Sequence, residues 1–283
     1  MSIKNWLVRG DCHGDFYWLS LLKNDYVPEE TAVIILGDAG VNFYLNKTDI
    51  RTKECVQSSG FTLYLVRGNH EMRPEHLENI KAGWDDNVNG TIWYEPIYPN
   101  IRYFKNYDIY TINNYRCLVI GGAYSVDKWY RLARAYIAAP EYNNPKKTGW
   151  FADECLNEYE MSNCEWMIEH SGDKVFDFVF SHTCPKKFQP VDMFLGGVDQ
   201  STIDESMEVW MDKIYETISI RHAWLFGHYH DDRVERPHVE MYFNDIEPLK
   251  AIAERWQRYD ETGELDWWLK KAPAFDGGNI NAS

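Results

Sequence analysis

The sequence predicts an α/β layered domain, and three observations carry that prediction. Short apolar runs rich in β-branched and aromatic residues recur at 3–8, 32–36, 61–66, 117–120, 175–180 and 223–226. Stretches with helical patterning lie between several of these runs. From 92 to 120 the pattern changes to short strands divided by Asn- and Tyr-rich turns. Strands that alternate with helices build layered α/β domains.

Each apolar run has the length of a buried strand, roughly 4–8 residues. The first helix covers 16–24 and stops before Pro28, and the second covers 47–58, ahead of Gly60. A third, 153–170, ends near Gly172. A fourth, 203–221, carries Ile203, Met207, Trp210, Ile214 and Ile218 at helical spacing. The segments 102–104, 109–112 and 116–120 read as antiparallel hairpin strands, and 233–235 with 240–243 as a further pair. With no internal repeat and no low-complexity linker, the simplest division is one domain over 1–250 and a C-terminal extension over 251–283. The last dozen residues of that extension are expected to fray.

Composition narrows the class. Hydrophobic residues make up 45% and aromatic residues 16% of the 283 positions, enough for a core that needs no disulfides. The six cysteines are scattered and form no Cys-x-x-Cys pair, which speaks against a zinc ribbon and for a reducing compartment. No apolar run approaches the roughly 18 residues of a membrane span, and the N-terminus has no signal-peptide core, so a cytoplasmic protein without a membrane partner is expected. A net charge of −15 argues against duplex nucleic acid, whose binding depends on neutralising phosphates.

Five of the strand-like runs end in metal-ligand residue types. They lead into Gly10-Asp11-Cys12-His13-Gly14, Gly37-Asp38, Arg67-Gly68-Asn69-His70-Glu71, Ser181-His182 and Gly227-His228-Tyr229-His230. In α/β sheets ligands bind beyond the carboxyl ends of the strands, so the five clusters are expected on one rim. Alone, a Gly-Asp after a strand is usually a turn, and a lone His after a strand is usually structural. Together they are a pattern: five of the nine histidines (His13, His70, His182, His228 and His230) directly follow strand-like runs. Carboxylate oxygens and imidazoles suit Mn²⁺, Fe or Zn²⁺ without any thiolate. Cys12 and Cys184 are read as packing residues.

In these motifs the sequence resembles the calcineurin-like metallophosphoesterase superfamily, from Asp11 to about His230. The resemblance implies a four-layer α/β/β/α sandwich with two mixed sheets. It also implies a phosphoric ester hydrolase with two divalent metal ions, Mn²⁺ foremost and Fe or Zn²⁺ as alternatives, acting on phosphomonoesters or phosphodiesters through a metal-bridging hydroxide. By the same resemblance Asp11, His13 and His230 take one metal, and Asn69, His182 and His228 the other. Asp38 bridges the two, and His70 is a catalytic non-ligand that protonates the leaving group. A Ser/Thr protein phosphatase is the alternative, yet that branch carries Gly-Asp-x-Val-Asp-Arg-Gly where this chain has Gly37-Asp38-Ala39-Gly40-Val41-Asn42. The Asp that orients the histidine and the phosphate-gripping Arg are missing there. The alternative of another class, a non-catalytic scaffold on the same fold, has the intact ligand set against it.

Another cation is therefore expected to hold substrate phosphate. Residues 121–150 carry Lys128, Arg131, Arg134, Lys146 and Lys147 against only Asp127 and Glu141. Arg131 and Arg134 are the first candidates, and Arg67 and Arg73, which flank the Asn69-His70 motif, are the others. Gly121-Gly122 lacks the third glycine and the acidic residue of a dinucleotide fingerprint. The expected substrate is a small phosphorylated molecule or a phosphopeptide.

Overall fold

The computed structural model describes residues 3–138, 148–194 and 201–265. Lys146, Lys147, Glu141 and the frayed end predicted from sequence lie outside the described residues. Two mixed sheets form the centre. The first is ordered β13-β1-β2-β3-β6-β5-β4, with β13 over Ile246–Pro248, and the second β11-β12-β10-β9-β8-β7. In the first, β1 (Asn5–Arg9), β2 (Thr31–Ile35) and β3 (Thr62–Leu65) run parallel. In the second, β8 (Tyr115–Ile120), β9 (Val175–Ser181) and β10 (Ser219–Phe226) do the same.

Side chains alternate across each strand, so a run that is apolar at every position must be covered on both faces. Trp6, Val8, Ile34, Tyr64 and Val66 of the first sheet pack between the sheets with Val119, Phe178, Phe180 and Leu225 of the second. The alternate positions Leu7, Val33, Ile35, Leu63 and Leu65 pack outward with Leu19 and Leu22 of α1 (Trp18–Leu22) and Val56 of α2 (Lys47–Ser59). On the other side Leu118, Ile120, Val179, Trp224 and Phe226 pack with Ile168 of α4 (Glu158–His170) and with Met207, Met211 and Ile214 of α5 (Ser206–Thr217). The result is the α/β/β/α layering, with a further helix, α3 (Lys128–Ala138), beyond the end of β8.

Local signals set most helix ends. Asn46 caps α2 by accepting from the Thr48 N–H, and Gly60 closes it at φ 86°. Asn157 and Glu160 form a capping box, which starts α4 at Glu158 rather than near 153. The helix expected over 203–221 ends at Thr217, because Ser219 onward pairs with β9. The predicted hairpin series is also divided. β6 (Ile101–Tyr103) pairs parallel with β3 and antiparallel with β5 (Gly90–Tyr94), whereas β7 (Tyr107–Ile112) and β8 form a hairpin in the other sheet. β4 (Lys81–Asp85) has no sequence forecast; it is an edge strand, mostly exposed, with no apolar alternation. The expected pair near 233–243 forms as β11 (Arg233–Arg236) and β12 (Val239–Met241). Helix α6 (Leu249–Thr262) spans the boundary read at residue 250, and its Leu249, Ile252, Ala253 and Trp256 join the inter-sheet core. Among the described residues no helix is long and apolar enough to cross a membrane.

Candidate active site

The carboxyl ends of the parallel strands meet at one rim. β1 delivers Asp11 and His13, β2 Asp38, and β3 Asn69 and His70, all from the first sheet. β9 delivers His182, and β10 delivers His228 and His230, from the second. The turns that do this are unusual. His13, Asp38, His228 and His230 have φ of 47°, 44°, 70° and 58°, a left-handed region that costs a non-glycine residue about 1–3 kcal/mol. Four such residues at one rim point to turns held for what their side chains do. Glycine has a steric reason in two motifs. A Cβ at Gly37 would run into the His182 ring, and one at Gly68 into the Asp38 carboxylate.

The two buried carboxylates are held alike. Asp11 Oδ1 accepts from the His228 backbone N–H at 2.9 Å, and Oδ2 lies 3.1 Å from His230 Nε2 and 3.6 Å from His13 Nε2. Asp38 Oδ1 accepts from the His70 N–H at 2.8 Å, and Oδ2 lies 3.6 Å from His182 Nε2. Two donor sets result, Asp11 with His13 and His230, and Asp11 with Asp38 and His182. The ring nitrogens of His13 and His230 are 2.9 Å apart. His182 Nδ1 donates to the Leu36 carbonyl at 2.8 Å, which leaves Nε2 with a lone pair facing Asn69 Oδ1 at 2.8 Å. Acceptors converging on acceptors need a cation between them, so the donor chemistry fits divalent metal ions. With only protons present, one must serve instead. Burial opposes a charge on His182, but Asp38 and Asp11 overcome it and push its pKa up to about 9. Asp38 is held well below the usual carboxylate range by His182, His70 and His13, against the effect of burial. His228, whose ring packs 4.9 Å from that of His182, is kept neutral chiefly by burial.

His70 and His228 are in neither donor set, and His70 Nε2 stands 3.9 Å from Asp38 Oδ2. The His70 ring meets Phe43 edge-on, and its Nδ1 has no hydrogen-bond partner among the described residues. The neighbouring Asn69 is oriented from behind. Its Nδ2 donates to Ser125 Oγ at 2.8 Å, and Ser125 Oγ donates to Glu154 Oε2 at 2.5 Å. Ser125 and Glu154 are both buried, and their chain turns the Asn69 carbonyl oxygen toward His182. Outer-shell partners of this kind typically contribute about 10–100-fold in metal affinity. Ser125→Ala and Glu154→Gln are expected to lower the Mn²⁺ affinity of the Asn69 position by that factor. The position of Asp11, His13 and His230 should keep its metal, as read by metal per chain after dialysis at graded Mn²⁺. Unchanged binding in both variants would mean that Asn69 needs no such support.

The four arginines separate. Arg131 lines the cleft beside the rim, with Nε on Asp127 Oδ2 at 2.7 Å, Nη1 on the Gly149 carbonyl and its guanidinium over the Phe43 ring. Arg134 is exposed outside the cleft lining and touches Tyr130. Arg67 and Arg73 do not reach the cleft, which corrects their reading as phosphate contacts. Arg67 is buried on Asn106 Oδ1 and the Glu154 carbonyl, and Arg73 is clamped by Glu160, the Asp153 carbonyl and the Cys155 carbonyl. Their work is to hold the 153–160 segment behind the Asn69 turn. Burial pushes the Cys12 thiol up to about 12 and that of Cys184 well above its ordinary value, as inert packing residues require.

The end of β8 carries no motif visible in sequence. Gly121-Gly122 is no dinucleotide fingerprint, yet four residues after Gly121 stands Ser125, the partner of Asn69. The strand-end rule that found five clusters applies to this sixth strand as well.

Solved structures of three other proteins resemble this chain distantly. The phosphopantetheinyl hydrolase of Mycobacterium tuberculosis aligns at 12% identity and TM-score 0.37, over 93% of this chain and 94% of its own. A protein serine/threonine phosphatase of Saccharomyces cerevisiae aligns at 14% and 0.34, over 84% of this chain and 66% of its own. The NAD nucleotidase of Haemophilus influenzae aligns at 14% and 0.34, over 81% and 39%. No curated protein sequence matches. Likenesses this remote say nothing of substrate. The family signature is firmer, for the profile of the calcineurin-like phosphoesterases matches residues 6–232, from the first strand through the last ligand motif. With that span matched, the chain belongs to the calcineurin-like phosphoesterase family.

Proposed function

We propose that this protein hydrolyses small phosphomonoesters or phosphodiesters with a dinuclear centre of divalent cations, Mn²⁺ foremost and Fe or Zn²⁺ as alternatives. One observation carries the reading: Asp11 and Asp38 each keep one oxygen on a backbone N–H and turn the other toward imidazoles, in adjoining donor sets. Divalent cations, when bound, supply Lewis acidity toward phosphoryl oxygens and a nucleophile at neutral pH. Asp11, His13 and His230 would hold one cation and Asn69, His182 and His228 the other, with Asp38 the bridge that the resemblance implies, although Asp11 is the carboxylate the two donor sets share. His70 stands free of both sets to give a proton to the leaving oxygen. Arg131 supplies the cation missing from residues 37–42, and a guanidinium fork suits phosphate oxygens.

The test is a protein stripped by chelation and reloaded with Mn²⁺, assayed on phenyl phosphate, bis(4-nitrophenyl) phosphate and a phosphoserine peptide. Activity should vanish and return with the metal; full activity in the stripped protein would sink the reading. Arg131→Ala should lower kcat/KM by roughly 10–100-fold, the range of a charge-assisted hydrogen bond, with metal content unchanged and only partial rescue by Lys. Arg134→Ala serves as the control and should match the parent. Equal rates for both alanine variants would reduce Arg131 to a wall residue.

A further inference from the structure

The cleft over the rim encloses about 1290 Å³, more than the roughly 300–1,000 Å³ of most small-ligand sites and far more than a phosphoryl group fills. Its walls combine polar residues, among them Asp127, Arg131, Lys186 and Glu205, with a group of apolar ones. Tyr44, Val126, Trp129, Val191 and Phe194 all line it and are all at least 36% exposed. Scattered singly such side chains mean little, but gathered at one opening they mark a binding surface. Phe194 stacks on Tyr229 with ring planes 23° apart, so a flat face is presented there.

One polar group in this wall is out of keeping. Glu208, in the first turn of α5, lines the cleft and is only 4% exposed. Its Oε1 accepts from Thr183 Oγ1 at 3.0 Å, and Thr183 Oγ1 is also 3.2 Å from Tyr229 Oη. Its Oε2 is buried and has no partner among the described residues. A buried carboxyl oxygen without a donor is costly, and burial pushes the Glu208 carboxyl up to about 7. Among the described residues no side-chain donor reaches Oε2, since Lys186 of the same cleft is paired with Glu205, and the candidate metal ligands described above do not use it. A donor brought by the ligand would satisfy it.

We infer that Glu208 is a specificity-determining residue: it accepts an N–H from a flat heteroaromatic leaving group that packs against the Phe194, Tyr229 and Trp129 walls. The substrate class is a small phosphate ester whose alcohol carries such a ring, rather than a phosphorylated protein side chain. The inference rests on the phosphoesterase reading, since the ring must arrive joined to the phosphate that the metals hold. A site built to bond an N–H discriminates strongly against an analogue without one, because its own acceptor is then left unpaired.

A matched pair of esters tests this, indol-3-yl phosphate and its N-methyl counterpart, beside phenyl phosphate and a phosphoserine peptide, with the Mn²⁺-loaded protein. The parent should favour the N–H ester over the N-methyl ester by tenfold or more in kcat/KM. In Glu208→Leu that ratio should fall to about one. Phe194→Ala and Trp129→Ala, at exposed positions, should raise KM for the indolyl ester several-fold more than for phenyl phosphate. Equal rates for the two indolyl esters in the parent would overturn the inference, as would a Glu208→Leu variant that slows both alike, for Glu208 would then only brace Thr183 beside His182. If no ester in the set is turned over, the failure belongs to the phosphoesterase reading itself.

Discussion

Asp38→Asn is expected to empty both metal positions and to lower turnover of every ester by more than the roughly 100-fold that loss of an outer-shell partner costs. The substitution keeps the shape and the acceptor for the His70 N–H while removing one buried negative charge. His182 and His70 face that charge from around the rim, with Asp38 Oδ2 at 3.6 Å from His182 Nε2 and 3.9 Å from His70 Nε2. Two dications need anionic neutralisation, and the described rim supplies it chiefly through Asp11 and Asp38. Metal per chain, measured by elemental analysis with circular dichroism as a check on folding, reads the result. Asp11→Asn is the informative companion, because Asp11 is the carboxylate that the two donor sets share. If Asp38→Asn loses only one metal while Asp11→Asn loses both, Asp11 is the bridge and Asp38 a terminal ligand.

His70→Asn is expected to keep both metals and to lose about 10²–10⁴-fold in kcat on alkyl phosphates, the usual contribution of a positioned general acid. On 4-nitrophenyl phosphate the loss should shrink toward unity, because nitrophenolate leaves without a proton. The basis is geometric: His70 stands in the cleft wall with its Nε2 3.9 Å from Asp38 Oδ2, and its Nδ1 has no hydrogen-bond partner among the described residues. Rates measured across leaving groups of graded pKa give a slope, and the variant's slope should be steeper than the parent's. Equal losses on good and poor leaving groups, or a missing metal, would make His70 a ligand or a structural residue.

The legible parts of this fold were those with a physical reason to show in one dimension. Central strands of the sandwich are covered on both faces, so β2 reads as an apolar run after Thr31 and β9 as one interrupted by Asp177 alone before Ser181. The candidate ligands showed because histidines are few and their motifs carry glycines that admit close approach, of the His182 ring at Gly37 and of the Asp38 carboxylate at Gly68. What stayed hidden depends on direction or on partners distant in the chain. Arg67 and Arg73 carry the charge that phosphate binding needs, but carbonyls and carboxylates of 153–160 claim them. Ser125 and Glu154 matter only through Asn69, 56 residues from the serine. Glu208 looks from sequence like any acid on the polar face of a helix, and only the fold turns it inward. The pairing of β6 with β3 rather than β7 is equally invisible, for strand periodicity is blind to which neighbour a strand takes.

The division of ligands between sheets has a consequence for the protein's lifetime. Asp11, His13, Asp38 and Asn69 follow strands of one sheet, and His182, His228 and His230 follow strands of the other. A cation held by both groups, as proposed, would be a clasp across the sandwich, and a separated pair of sheets would have no site for it. Folding and metal loading would then be linked equilibria. Free metal at a hundred times its Kd would add about 2.7 kcal/mol to the unfolding free energy, a sizeable share of what a single domain possesses. Metal starvation would accordingly act twice, first by emptying the centre and then by raising the population of opened chains that proteases clear, so that abundance itself follows the metal supply.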